Sequence, residues 1–196
     1  MDGPAKNGSA RFPFHHGRLA LSFAGTLGDR GSVEKERVGS PASLGEWLHA
    51  AHLTESDAAP AASVHRRALR LREAVARSVQ AVVEGGRPAP EDVDLINEIA
   101  RRWAPRPVLD AETLTLTSGA RDPGEASLGR VAVDAIELLA DPEERSRLRA
   151  CALGTCAAIF LTPPGRRERR WCSMARCGNR AKVTAFRSRS TRATLE

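Results

Sequence analysis

The 196-residue chain has no tyrosine, and aromatic residues make up only 4% of it. Its core must therefore be built mainly from alanine, leucine and valine, a mixture that favours helices. Cysteine is nearly absent as well, with four in all and none before residue 151. That argues against a disulfide-stapled secreted scaffold and for a reducing compartment. Long apolar runs are missing. The best, Leu19 to Leu27, is broken by Ser22, Gly25 and Thr26 and falls short of the roughly 20 residues that a membrane helix needs. The first 18 residues place aspartate, proline, His15 and His16 where a secretion signal would be continuously apolar. The expectation is a cytoplasmic protein without a membrane partner.

Catalytic signatures are equally scarce. There is no glycine-rich phosphate loop, no fixed-period repeat and no recognisable Ser, His and Asp arrangement, so no catalytic residue is assigned and an enzyme is not expected. His49 and His52, three apart on a helix beside Trp47 and Leu48, read as half-buried structural residues rather than as a metal pair.

What is present is uneven. From residue 151 onward ten basic residues face two acidic ones, +8, against a net charge of +6 for the whole chain; residues 1–150 therefore carry −2. The excess belongs to the cysteine-bearing end, and a basic module on a near-neutral body points to an anionic partner.

The body reads as helical with a few short strands, an α+β arrangement. Residues 1–11 are Gly, Pro, Ser and charge and predict a disordered tail. Leu19–Phe23 fits either a buried strand or one helical turn. The alternation of charge and glycine over 28–39 predicts a loop. Ser43 and Glu46 fit a capping box at the start of a short helix ending near Leu53. Val64, Ala68, Leu71, Val75, Val79 and Val82 recur at helical spacing over 63–84, with arginines between them as a solvated face. Pro90-Glu91-Asp92 opens a further helix carrying Leu95, Ile96, Ile99 and Trp103 inward, closed by Pro105 and Pro107. A hairpin is expected over 107–117, a linker over 118–125 and a helix over 127–140. Asp141-Pro142-Glu143-Glu144 has the cap, the N1 proline and the acidic first turn of one more helix.

The cysteines form two pairs. Cys151 and Cys156 have four residues between them, as do Cys172 and Cys177, with fifteen residues between the pairs. Four thiolates laid out as two knuckles predict one structural Zn²⁺, closed to reacting water. Gly178, directly after a ligand, is expected at positive φ, and Asn179 as the cap of a helix over 180–190. Val183 and Phe186 of that helix should face inward, with strand Ile159-Phe160-Leu161 packing on Trp171 and Phe186. A metal suits a unit of fewer than 50 residues, which buries too little to fold well alone.

Arg169-Arg170-Trp171-Cys172-Ser173-Met174, followed by Cys177-Gly178-Asn179-Arg180 and Lys182, resembles the CGNR zinc finger across residues 147–190. In that family the finger usually follows a helical ABATE domain, and Gly17 to Phe23 is similar to its early segment. The resemblance implies a domain over 12–145, a treble-clef-like or ribbon-like finger over 146–196, and a stress-induced bacterial transcription regulator. Carried over by position, it makes Cys151, Cys156, Cys172 and Cys177 the metal ligands. Two departures stand out. Ser22 and Gly25 replace the usual acidic and amide residues, and Thr162-Pro163-Pro164-Gly165 replaces an Asp and Ser in the loop between knuckles.

The leading functional expectation is DNA binding, with Arg166, Arg167, Arg169, Arg170, Arg176, Arg180, Lys182, Arg187 and Arg189 as phosphate or base contacts. Trp171, Gly178 and Asn179 are structural in this reading. The alternative is a protein-interaction or homo-oligomerisation module. A small molecule bound by the N-terminal domain is compatible with either.

Overall fold

The computed structural model describes residues 11–118, 122–165 and 169–193, and the side chains of 116–118 and 187–193 lie outside that description. Among the described residues the body has six helices: α1 (Leu19–Ala24), α2 (Pro41–Ala50), α3 (Ala62–Val83), α4 (Pro90–Trp103), α5 (Pro123–Ala140) and α6 (Pro142–Ser146). Two antiparallel pairs accompany them, β1 (Leu27–Gly28) with β2 (Lys35–Glu36), and β3 (Pro107–Leu109) with β4 (Leu116–Ser118). The finger follows, with β5 (Leu148–Ala150) antiparallel to β6 (Ile159–Leu161) and a closing helix, α7 (Asn179–Ala193).

Leu19–Phe23 resolves as helix. Six residues are too few to hold a helix by propensity, and α1 persists because Ala20, Leu21 and Phe23 are buried and because α3 and α5 both lie against it. Its free N-terminal amide at Ala20 donates to Asp134 Oδ2 of α5 at 2.7 Å. Arg18, just outside, pairs with Asp134, Glu137 and Glu144 at 3.0 to 3.1 Å. Burial pushes the Asp134 carboxyl upward despite these partners. Ser22 is 3% exposed and donates to the Arg18 carbonyl at 3.0 Å, so at this position the hydroxyl is satisfied inside its own helix.

Several starts differ from expectation. The capping box of α2 uses Ser40 and Ser43, one turn earlier than Ser43 and Glu46, because Pro41 sets φ at the first helical position. Glu46 instead pairs with Arg11, the only described residue of the expected tail. On α5 the start is Pro123, within the stretch read as a linker, since Asp122 Oδ1 accepts the Glu125 N–H at 2.8 Å. The 28–39 loop contains β2 and the second residue of β1. His49 and His52 are exposed rather than half-buried, and His49 Nδ1 lies 3.1 Å from the Thr54 carbonyl oxygen.

α3 is the central helix and α4 and α5 lie together beside it. Trp47, Phe23, Leu44, Leu71, Ile96, Ile99 and Leu128 are fully buried between these elements. The approach of α5 to the end of α4 requires Gly129, where any Cβ would collide with the Trp103–Ala104 backbone. Among the arginines of α3, Arg66, Arg70 and Arg77 do face solvent, but Arg72 is 4% exposed. It bonds Glu36 at 2.7 Å and Glu73 at 2.9 Å, so the β1–β2 segment is fastened to α3 by a buried cation.

Body and finger share a second apolar cluster. Leu21 of α1, Val79 of α3 and Leu138 of α5 meet Leu148 of β5 and Ile159 and Leu161 of β6. The Leu161 N–H also donates to the His16 carbonyl at 2.8 Å. The ribbon of the finger is thus packed as part of the body's floor.

Candidate metal centre and basic helix

Cys151 leaves the end of β5 and its N–H donates to the Ala158 carbonyl at 2.8 Å; the Cys156 N–H closes a turn onto Leu153 at 2.8 Å. The second pair is set by Ser173. Its hydroxyl accepts the Arg176 N–H at 3.3 Å, and its carbonyl accepts from Cys177 at 2.9 Å and Gly178 at 3.1 Å. These bonds form one π-helical turn, Met174–Gly178, that continues directly into α7. A knuckle on a ribbon followed by a pair at a helix start is the treble-clef layout.

The four sulfurs are buried, free of disulfides and all within 4.8 Å of one another. Cys156 and Cys172 are 3.6 Å apart, Cys172 and Cys177 3.5 Å. With Zn–S near 2.3 Å a tetrahedron has an edge of about 3.8 Å, so the set fits this ion. Hydrogen bonds from Cys156 and Cys172 draw the Cys151 thiol far down. Cys172, sharing protons with Cys151 and Cys156, is driven far up, and burial pushes Cys177 up to about 12. Four thiolates this close cannot coexist without a cation among them. One Zn²⁺ held by Cys151, Cys156, Cys172 and Cys177 answers that need, and with its shell closed it is structural.

Around the metal three details differ from expectation. Gly178 is not at positive φ. A Cβ there would meet Met174 Sδ at 2.5 Å, a contact that this half-exposed side chain can relieve by turning away. Asn179 does not cap α7, since the π turn already supplies the preceding backbone; its Nδ2 donates back to the Ala175 carbonyl at 3.0 Å. Val183 and Phe186 face outward at 48% and 66% exposure. The expected packing of β6 on Trp171 holds, with both in the finger's small cluster, but Phe186 takes no part in it.

The basic residues separate into groups. Arg169 lies 4.3 Å over the Phe160 ring and donates to the His15 carbonyl at 3.1 Å. Arg176 donates through Nη2 to both carboxylate oxygens of Asp29 at 3.1 Å, and Arg180 stands 3.7 Å from Asp29 Oδ1. Arg170 lies 5.1 Å over the Trp171 ring, and Arg170 and Lys182 are exposed. Arg166 and Arg167, and the side chains of Arg187 and Arg189, lie outside the described residues.

Asp29 was not singled out from the sequence. It is 3% exposed, at φ 55, and also pairs with Lys35 at 3.3 Å. One body carboxylate therefore grips the finger at the turn between its second pair of cysteines and at the first turn of α7. The glycines on either side, in Gly28-Asp29-Arg30-Gly31, were the available sign of an unusual backbone. His15 and His16 are the other residues whose position sequence alone did not indicate. Their rings stack at 4.6 Å and offer ligand atoms within 4.8 Å of Cys172 Sγ. Burial, then the neighbouring His15, holds His16 down to about 3, and burial, then Arg169, lowers His15. Both rings are therefore neutral at pH 7, outside a shell that the cysteines already fill.

The helical body fused to a basic four-cysteine finger defines a two-part zinc-finger protein. Residues 17–142 match the ABATE model, described as "Putative stress-induced transcription regulator", and residues 147–190 match the CGNR zinc finger. The chain belongs to the ABATE family, with a CGNR finger at its C-terminal end. No curated protein matches it at significant similarity. Among the described residues no helix is long and apolar enough to cross a membrane.

Proposed function

We propose that the chain is a cytoplasmic DNA-binding transcriptional regulator, and not an enzyme, in which α7 is the nucleic-acid element. The observation that carries this reading is the composition of α7 on its metal mount. Its fifteen residues include Arg180, Lys182, Arg187, Arg189 and Arg192 and no carboxylate. A helix of that length spans about 22 Å, enough to lie along a groove. Lys182 on it and Arg170 beside it present exposed charge, while Arg169 and Arg176 serve packing and the grip on Asp29. If six or more cations neutralise phosphates, affinity falls on the order of 10³-fold between 50 and 200 mM salt. A gel-shift salt titration on duplex DNA tests this, with Lys182→Ala and Arg170→Ala each expected to reduce the salt slope by about one. Binding that is absent, or insensitive to salt, removes the proposal.

A second reading rests on Val183 and Phe186, large apolar side chains exposed on the same helix. Such residues favour a partner protein or a second copy of the chain. Sedimentation of the zinc-loaded protein, with Phe186→Ser as control, separates the two. Self-association lost in the variant, with no DNA affinity, selects the interaction module.

A further inference from the structure

Between the body and the finger lies a cavity of about 400 Å³, within the roughly 300–1,000 Å³ range of small-molecule sites. Its walls come from both parts: Leu21 and Ala24 of α1, Ala76 and Val79 of α3, and Ile159 of β6, so most of what a ligand would touch is apolar. Charge also reaches the lining, but each charge is already engaged. Arg30 bonds Glu73 at 2.8 and 3.1 Å, Arg77 bonds Asp92 at 2.9 Å, Arg176 bonds Asp29 at 3.1 Å, and Glu84 accepts from Gln80. An ionic ligand would have to break one of these pairs.

One buried lining side chain lacks a partner. His16 is 2% exposed and its Nδ1 has no hydrogen-bond partner. The ring lies against Gly25, where a Cβ would stand 2.7 Å from Cε1, and one of its nitrogens is within 4.8 Å of Cys172 Sγ. A neutral imidazole that donates from one nitrogen offers the other as an acceptor. An orphaned buried acceptor costs about 1–3 kcal/mol, a cost that a ligand's donor removes.

We infer that this cavity binds an uncharged, mainly apolar small molecule carrying one hydrogen-bond donor, of the phenol or indole class, with the donor on His16 Nδ1. Its occupant touches α1, α3 and the zinc-bearing ribbon at once. The site is independent of α7, so the presence or absence of DNA binding does not decide it.

The test uses the full zinc-loaded chain and three matched probes: 4-ethylphenol, 4-ethylanisole, which lacks the donor, and 4-ethylbenzoate, which is charged. Calorimetry should show saturable binding of the phenol, about tenfold tighter than the anisole, the factor expected of one good hydrogen bond, and none of the benzoate. His16→Phe keeps the flat ring and should erase the phenol's advantage, and Ala76→Phe should abolish binding by filling the space. In the wild-type chain the ¹⁵N shift of His16 Nδ1 should read as an unprotonated acceptor and move on adding the phenol. Equal affinity for phenol and anisole, no saturable binding, preference for the benzoate, or an Nδ1 already protonated without ligand each overturns the inference. The nitrogen shift and Ala76→Phe keep it decidable where His16→Phe fails to fold.

Discussion

The body and the finger solve the same problem by different means. The body surrounds α3 with Trp47, Phe23, Leu44, Leu71, Ile96, Ile99 and Leu128, all fully buried. At about 1.5–3 kcal/mol for each side chain removed from water, apolar burial is the body's main source of stability. In the finger the only large apolar side chain buried to that degree, among the described residues, is Phe160. Around that ring are four buried cysteines, which stabilise nothing until a cation joins them, while Leu148, Ile159 and Leu161 are buried against the body instead. One region is held by area and the other by coordination, and the Leu148, Ile159 and Leu161 face is where the two meet.

Removing zinc is the largest way to break this comparison. A structural Zn²⁺ contributes an apparent 10–16 kcal/mol or so in small zinc units, more than the finger's one buried ring can replace. Chelation, or Cys172→Ser, should strip hydrogen-exchange protection from β5, β6 and α7 while the amides of α4 and α5 keep theirs. Protection that persists in α7 after the metal is gone would show that the finger has a core of its own.

Leu138→Ala sharpens the comparison next, because it cuts the shared cluster rather than either part. It should cost about 2–5 kcal/mol in urea unfolding of the body and also weaken zinc retention against a competing chelator. A loss confined to the body would mean that the ribbon does not depend on the floor it covers. Asp29→Asn acts across the same boundary by charge. Arg176 is one-third exposed, so the cost should fall below that of a fully buried pair, at about 2 kcal/mol. It should raise α7 exchange and leave α4 and α5 unchanged.

The two regions also differ in how far their residues announce them. The cysteine spacing identified the metal ligands because coordination needs a fixed donor set. The 3.6-residue period located α3, α4 and α5 because each buries one continuous stripe. What was hidden depended on contacts distant in sequence. The burial of α1 comes from α3 and α5, and its N-terminal amide is satisfied by Asp134, more than a hundred residues away. Val183 and Phe186 have helical spacing, yet both are exposed on α7, and periodicity alone does not say whether a partner surface exists. Gly178 was placed by a rule about thiolate knuckles, whereas it ends the turn Met174–Gly178 without taking positive φ. Asp29 and His16 matter only because the finger folds back onto the body, which no local pattern records.

The smallest effect expected concerns acid. Glu36 is held below its ordinary value; burial works against this, but hydrogen bonds from Arg72 and Val38 outweigh it. A carboxyl with a depressed folded value gives stability that is present above its unfolded value, near 4.5, and is lost as pH falls through the folded one. Glu36 is more than one-third exposed, so the contribution is screened to below about 1 kcal/mol. Glu36→Gln keeps an oxygen to accept from Arg72 at 2.7 Å and Val38 at 2.8 Å but cannot titrate. Urea midpoints read on α3 amides between pH 7 and 3 should therefore fall less steeply in the variant than in wild type. The finger's acid loss comes instead from protonation of thiolates and release of zinc, and should be identical in both. If α3 in the variant follows the wild-type curve, Glu36 does not set the body's acid limb, and other paired carboxylates such as Glu73, which burial would raise but Arg30 and Arg72 hold below its ordinary value, carry it instead.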